Sequence, residues 1–212
     1  MDHLTELSAL ARDLLSLPPS CGPVRLVAVD GHAGSGKSTF ADGLAAALGG
    51  APVVRLDDIR SHDELFAWTD RLRREVLAPL AEGRTARFSA YDWNVRRFTT
   101  EQTVPPAPVV LLEGVGAGRL ALRPYLAHLY WMDLPHDASW ARGRHRDGPA
   151  QGDFWDGWEP AEHRHFAEDP TRERADSLVR QCPEGYVVLP GRDEASSSPQ
   201  AITHRDDPSA KR

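Results

Sequence analysis

Short apolar runs alternate with amphipathic segments along most of the 212-residue chain. Four runs are predicted to be buried β-strands because they are short, apolar and followed by glycine or acidic residues: 26–30, 53–56, 109–112 and 129–132. Residues 186–189 form a last candidate strand. Strands of this kind that alternate with helices predict a mainly parallel sheet covered by helices on both faces, which is an α/β fold.

The segments between these runs carry apolar residues at helical spacing. Leucines at positions 4, 7, 10, 14 and 15 predict an amphipathic helix over 1–17, packed outside the core and ended by two prolines. A second helix is predicted over 38–48, with Gly49 and Gly50 as its end. Ser61 and Glu64 have capping-box spacing, so a third helix is predicted to start there and to continue to about residue 82.

One globular domain with short additions is the predicted organisation. Residues 1–20 are the N-terminal helix and linker, and 21–190 are the domain, which includes a lid at about 137–168. Residues 191–212 are rich in serine, proline and charge without periodicity, which predicts a disordered tail. Hydrophobic residues make up 41% of the chain and charged residues 26%, as in ordinary soluble domains.

Charge and cysteine content narrow the choice of partners and compartment. With 25 Lys and Arg against 31 Asp and Glu, the net charge is −6, which argues against nucleic-acid binding because that requires a basic surface. The two cysteines, Cys21 and Cys182, and the lack of a recognisable secretory signal favour a reducing cytoplasm. No apolar run approaches the roughly 20 residues of a membrane span, so no membrane partner is expected.

The strongest chemical signal is a phosphate-binding loop over residues 31–38. Its sequence GHAGSGKS fits G-x-x-x-x-G-K-[ST] and lies between a predicted strand and a predicted helix, as a P-loop requires. Glycines let backbone N–H groups approach phosphate oxygens, Lys37 can reach the β- and γ-phosphates, and the Ser38 hydroxyl can join the Mg2+ shell. The predicted ATP-binding residues are Gly31, His32, Ala33, Gly34, Ser35, Gly36, Lys37, Ser38 and Thr39.

Three classes of P-loop protein carry this motif and are possible here: a GTPase switch, a transporter or motor ATPase, and a small-molecule kinase. A GTPase switch needs an N-K-x-D sequence to read guanine, but the single asparagine, Asn94, is followed by Val-Arg-Arg. A transporter ATPase needs a Ser-Gly-Gly-rich signature, which the chain lacks. Acidic strand ends and an arginine-rich stretch after Asp133 favour a kinase, because phosphoryl transfer needs positive charge over the phosphates and a carboxylate near the acceptor.

The order of several segments resembles the uridine kinase and phosphoribulokinase group of P-loop kinases. After the P-loop come L-D-D at 56–58, Y-D-W at 91–93, V-L-L-E-G at 110–114, and M-D at 132–133 followed by arginines and R-D at 146–147. The resemblance spans roughly residues 25–180 and implies a three-layer P-loop fold with an arginine-bearing lid. It also implies ATP and Mg2+ as cofactors and a small molecule with a hydroxyl group as the acceptor.

The resemblance implies roles for residues at the strand ends and in the lid. Asp57 would orient or deprotonate the acceptor hydroxyl, with helix capping as the alternative. Glu113 would hold Mg2+ through water, with a carboxylate bonded to backbone as the alternative. Arg142 and Arg146 are four residues apart and would bind phosphate from one helix face, with a solvated, ion-paired face as the alternative. Together with Lys37, the aspartate and the two arginines are the predicted catalytic residues.

The acceptor site is expected near the Y-D-W segment. The predicted acceptor-binding residues are Asp63, Tyr91, Asp92, Arg96 and Arg97. Uridine or a similar nucleoside is the simplest acceptor, although the two arginines leave an anionic or phosphorylated acceptor open. A sugar, a vitamin precursor or a nucleotide are the other candidates. The family has an aromatic pair where this chain has Ile59 and Arg60, so a nucleotide-binding regulator without acceptor chemistry is a further alternative.

Overall fold

A six-stranded sheet lies at the centre of the computed structural model, which describes residues 5–191. Its strands, in spatial order, are β2 (Val53–Arg55), β5 (Val109–Glu113), β1 (Arg25–Asp30), β6 (Leu126–Met132), β7 (Ser177–Cys182) and β8 (Gly185–Pro190). Strands β2 to β7 in this order pair in parallel, and β8 pairs antiparallel to β7 at the edge. The predicted parallel sheet is therefore confirmed.

Helices cover both faces of the sheet, as expected for three layers. The longer helices are α1 (Leu7–Ser16), α2 (Lys37–Ala47), α6 (His136–Asp147) and α7 (Gly152–Glu168). The shorter ones are α3 (Leu56–Ile59), α4 (Thr69–Leu72) and α5 (Ala78–Ala81), and a π-helical segment, Arg73–Leu77, joins the last two. Three 3-10 turns complete the helical elements: Arg123–Tyr125, Pro149–Gln151 and Thr171–Arg174. In residues 5–191 we found no helix with the length and apolarity that crossing a membrane requires.

The two faces of the sheet bury different sets of side chains, because successive residues of a strand point to opposite faces. In β1, Leu26 and Ala28 join the core cluster that includes Trp68 and Leu80. Val27 and Val29 join the cluster under α1 and α2, together with Phe40 and Leu44. A strand that is buried on both faces needs apolar residues at consecutive positions. The apolar runs in the sequence therefore predicted these strands.

Several predicted boundaries are wrong. No helix begins at Ser61, whose Oγ accepts a hydrogen bond from Glu64 N at 3.2 Å within an isolated turn, and the helix starts only at Thr69. The second strand ends at Arg55, so Asp57 lies in the first turn of α3. The antiparallel hairpin of β3 (Ala86–Asp92) and β4 (Arg97–Val104) was not predicted, nor was β7. Residues 1–4 of the predicted first helix and 192–212 of the predicted tail lie outside the described residues.

Candidate active site

The phosphate loop joins β1 to α2 and depends on glycine at positions where a side chain cannot fit. Gly34 has a φ of 84°, and a side chain there would collide with the Ser139 carbonyl of α6. Gly36 has a φ of 96° and is the N-terminal cap of α2. Both residues occupy backbone conformations that side chains disfavour, so the loop can present its amides closely to a ligand.

Lys37 is the first residue of α2, and its side chain binds back to the start of the phosphate loop. Its buried Nζ donates to the carbonyl oxygens of Gly31 at 3.1 Å and of His32 at 2.8 Å. The N–H groups of the first turn of α2 have no acceptor within the helix and carry its partial positive charge. A loop of this shape is a ready anion-binding site.

Asp30 holds the base of the phosphate loop, although no sequence motif marks it for this role. Its carboxylate is fully buried and accepts hydrogen bonds from the amides of Gly31 at 2.7 Å, Gly116 at 2.8 Å and Gly118 at 2.9 Å. Burial raises the pKa of Asp30, although these hydrogen bonds and the charge of Lys37 oppose the rise. The carboxylate thereby ties the phosphate loop to the loop that follows β5.

Glu113 lies at the end of β5 beside the start of α2. Its carboxylate is buried, with Oε2 3.2 Å from Arg55 Nη1, and it interacts with the Ser38 hydroxyl. Burial raises the pKa of Glu113, Lys37 and Arg55 lower it, and Asp57 raises it further. A hydroxyl and a carboxylate together at the phosphate loop are suitable ligands for Mg2+.

Asp57 presents its carboxylate to the cavity, and Arg60 supports it from behind. The Asp57 side chain is 74% exposed, whereas Arg60 is fully buried with its Nε 3.3 Å from Asp57 Oδ1. Arg60 also donates to the Val115 carbonyl at 2.9 Å, and its guanidinium lies 5.1 Å from the centre of the Trp158 ring. Asp57 makes no capping hydrogen bond to α3, because Arg55 occupies the cap.

Ile59 and Arg60, the two residues where the resemblance fails, both have structural contacts. Ile59 is fully buried in the core, and Arg60 holds Asp57 as described above. Burial lowers the pKa of Arg60, while Asp57 opposes that shift. This segment therefore keeps a carboxylate in the cavity.

The predicted lid region contains two helices, α6 and α7, and Gly143 of α6 packs directly against the ring of Trp155 of α7. Arg142 and Arg146 line the cavity on one side of α6. Arg144 faces α7, where it pairs with Glu159 at 2.6 Å and Asp156 at 2.7 Å. Arg146 also pairs with Asp147 at 2.6 Å.

The cavity between the P-loop and the lid has a volume of about 680 Å³. Its polar part is formed by loop and first-turn residues of α2, together with Asp57, Glu113 and the two lid arginines. Its other part contains Trp155 and an aromatic group that we define as His62, Trp93, Phe154 and Trp158. Within this group the ring centres of His62 and Trp93 are 4.7 Å apart, and those of Trp93 and Phe154 are 5.7 Å apart. Trp93 Nε1 donates to the Asp57 carbonyl at 2.9 Å, so the aromatic group adjoins Asp57.

The predicted acceptor residues lie close to the cavity but do not line it in the described part of the chain. Tyr91 is buried behind the aromatic group, with its hydroxyl 2.9 Å from His62 Nδ1. Asp92 accepts from the amides of Asn94 at 2.9 Å and of Val95 at 3.2 Å, which shapes the hairpin turn. Asp63, Arg96 and Arg97 are exposed.

Residues one or two positions away line the cavity instead: His62, Trp93 and Asn94. The Y-D-W segment was the available signal for Trp93. No local signal marked His62 or the lid residue Phe154.

Only some of the predicted ATP-binding residues line the cavity. Ala33, Gly34, Gly36, Lys37, Ser38 and Thr39 line the cavity. Ser35 lines a second hollow of about 500 Å³, which shares Arg142 with the first. The His32 ring lies on the other side of the loop, where its Nδ1 is 2.7 Å from Glu162 Oε1. Gly31 lies at the base of the loop, against Asp30.

Comparisons with known proteins identify the fold. No protein-family model matches the chain, and no curated protein does. Among solved structures, the chain is similar to a possible uridine kinase from Bacillus stearothermophilus, with 18% identity and a TM-score of 0.60 over 81% of this chain and 96% of that one. It is also similar to a candidate fructose transport system kinase from a Silicibacter species, with 22% identity and a TM-score of 0.54 over 77% and 89%. These likenesses confirm the three-layer α/β P-loop kinase fold.

Proposed function

We propose that the protein is an ATP- and Mg2+-dependent kinase that transfers the γ-phosphoryl group to a hydroxyl group of a small molecule. One observation carries the proposal: a single cavity collects a P-loop, a buried carboxylate beside Ser38, an exposed carboxylate at Asp57 and two lid arginines. Phosphoryl transfer needs little else, because it depends mainly on positioning and on stabilising charge.

Lys37 and the amides that open α2 would bind the β- and γ-phosphates. Arg142 and Arg146 line the same cavity from α6, where they would contact the γ-phosphate, and Arg146 would exchange its ion pair with Asp147 for this contact. Negative charge on the equatorial oxygens of the transferred group must be stabilised during transfer, and fixed cations in a closed site do this well. The second hollow, which shares Arg142, is available for the nucleoside part of ATP.

Ser38 and Glu113 are the residues suited to hold Mg2+. The described residues contain no group of three His, Cys, Asp or Glu side chains arranged for a metal ion. This fits a nucleotide-bound Mg2+, which takes most of its ligands from phosphate and water. When bound, Mg2+ neutralises phosphate charge.

Asp57 would act on the acceptor. Its carboxylate accepts a hydrogen bond from the acceptor hydroxyl and takes its proton as the oxygen–phosphorus bond forms and the bond to ADP breaks. Arg60 keeps this carboxylate oriented, since its own guanidinium is fixed by the Val115 carbonyl.

The aromatic group supports an acceptor with a flat ring, such as uridine or a similar nucleoside. Aromatic faces bind planar rings by stacking, and His62, Trp93 and Phe154 adjoin the carboxylate that would receive the hydroxyl. Arg96 and Arg97 do not line the cavity within residues 5–191, so a phosphorylated acceptor has less support.

The proposal can be tested by incubating the full chain with γ-labelled ATP, Mg2+ and a panel of nucleosides, sugars, vitamin precursors and nucleotides. Lys37→Met is the control, because it removes the phosphate-binding ammonium while placing an apolar chain in a buried position. We expect label on a nucleoside with the wild-type chain and none with the variant. Label on a sugar would overturn the acceptor class alone, whereas no transfer to any acceptor would contradict the kinase.

A further inference from the structure

A buried carboxylate from lid helix α7 reaches the first half of the phosphate loop. Glu162 is fully buried, and four donors converge on it. Its Oε1 accepts from His32 Nδ1 at 2.7 Å and from Trp140 Nε1 at 2.9 Å. Its Oε2 accepts from the Ala33 amide at 3.1 Å and from Trp158 Nε1 at 2.6 Å. The carboxylate thus joins the loop to both helices of the lid.

The environment of Glu162 keeps it ionised. Burial alone would raise its pKa, but the hydrogen bonds from His32 and Trp140 and the positive charge of Lys37 outweigh burial, so the pKa is lowered. A buried charge is costly unless it is fully hydrogen-bonded, and here both oxygens have two donors. Such a complete set of partners fixes the groups that supply them.

The lid rests on the loop at a second point as well. Gly34 packs so closely against Ser139 of α6 that no side chain could fit between them. The His32 ring is itself held by edge contacts with Trp131 at 5.3 Å and Phe166 at 5.0 Å. The conformation of the loop and the position of the helix that carries the two lid arginines are therefore mechanically connected.

We propose that Glu162 is a positioning residue that locks residues 32–33 of the phosphate loop in their nucleotide-binding shape and couples that shape to the lid. It acts through His32 and Ala33. This inference rests on the proposed function for its effect on nucleotide, but its effect on the loop can be measured without any ligand. Loss of the carboxylate charge leaves some of the four donors without an acceptor, which loosens the loop.

The first test is hydrogen exchange of the full chain without nucleotide. In Glu162→Gln the amides of residues 31–36 should exchange faster, while those of the core strand β5 keep wild-type rates. Glu159→Gln is the matched control, because Glu159 lies three residues earlier on the same helix and pairs with Arg144 rather than with the loop. Unchanged protection of residues 31–36 in Glu162→Gln would overturn the proposal, as would equal loosening in both variants.

A second variant keeps the test valid if Glu162→Gln does not fold. His32→Phe removes the Nδ1 donor but retains a ring between Trp131 and Phe166. It should show the same local loosening, and normal exchange at residues 31–36 in this variant would contradict the coupling.

The second test separates positioning from general damage. We expect Glu162→Gln to weaken Mg·ATP binding about tenfold or more, as loss of a buried charged hydrogen bond does, and to leave the acceptor KM unchanged. Adding His32→Phe to Glu162→Gln should cost little more, because the two residues act as one unit. Fully additive losses, or equal losses for ATP and acceptor, would contradict the proposal. If the wild-type chain binds no nucleotide, the proposed function fails, and the exchange data still decide the role of Glu162.

Discussion

The two parts of the cavity are built in different ways. The proposed nucleotide part is centred on one contiguous segment, residues 33–39, whose backbone amides and Lys37 would bind phosphate, with Glu113 and the two arginines of α6 beside it. The acceptor part is assembled from side chains of separate segments: Asp57 on α3, His62 in the loop after it, Trp93 in the hairpin turn and Phe154 on α7. A short sequence motif can therefore predict a site built from backbone groups. A site built from distant side chains depends on how the segments pack, which no short motif specifies.

Removing the acceptor carboxylate should give the largest effect that separates the two parts. We expect Asp57→Asn to lower kcat by about 100-fold, because a general base is lost, and to leave the KM for ATP unchanged. Steady-state rates at varied ATP and acceptor check this. Asp58→Asn is the control, since Asp58 is the neighbouring, half-buried carboxylate and does not line the cavity. Equal losses in kcat and ATP affinity would indicate that Asp57 is structural.

The two sides of α6 offer the next comparison. We expect Arg146→Ala to slow transfer about tenfold or more, because it removes a cation from the cavity. Arg144→Ala should leave the rate close to wild type, since Arg144 does not line the cavity and faces Glu159 and Asp156 on the other side of the helix. Single-turnover rates with saturating ATP measure the difference. Similar losses in both variants would mean that the lid acts through its fold alone.

A smaller change in the aromatic group should affect the acceptor only. Phe154→Leu removes one ring, and an aromatic contact is worth about 0.5–1.5 kcal/mol, so we expect the acceptor KM to rise about 2- to 10-fold with an unchanged KM for ATP. Phe98→Leu serves as control, because Phe98 packs against Tyr91 and does not line the cavity. A rise in the KM for ATP would show that the two parts of the cavity are not separable.

The support beneath the aromatic group should affect stability rather than catalysis, and its effect is seen in the pH dependence of stability. His165 stacks on Phe66, which packs against Trp158, and burial together with Arg119 lowers the pKa of His165 to about 4. Between about pH 6.5 and 4 the unfolded chain binds a proton here that the folded chain does not, so stability falls as the pH falls. Replacing the imidazole in His165→Phe should flatten this part of the curve.

Urea unfolding of both proteins at several pH values between 7 and 4 measures this slope. Parallel curves for the wild type and the variant would contradict the low pKa of His165.

The fold was predictable where burial is continuous. The strands β1 and β5 bury every position or nearly so, and their apolar runs predicted them. Strand β4 was missed because most of its residues are exposed and polar, so its sequence has no buried face to display. The false helix start at Ser61 shows that a capping pattern specifies a local turn, while tertiary packing decides whether a helix follows.

The same difference between local patterns and tertiary packing applies to the site. Six of the nine residues predicted from the P-loop motif line the cavity. Of the other three, Ser35 lines the second hollow, Gly31 bonds to Asp30 and His32 bonds to Glu162. In the hairpin, Tyr91 contacts His62 and does not line the cavity, whereas Trp93 does. A resemblance between short segments cannot predict which of two residues so close in sequence faces the cavity. Asp30 and Glu162 acquire their roles from partners 86 to 130 residues away, which no local pattern reports.

A calorimetric titration of Mg·ATP into the full chain tests the central claim most directly. We expect one binding site per chain in the wild type and loss of that binding in a folded Lys37→Met variant. Absence of binding heat in the wild type, or equal binding by the variant, would contradict it.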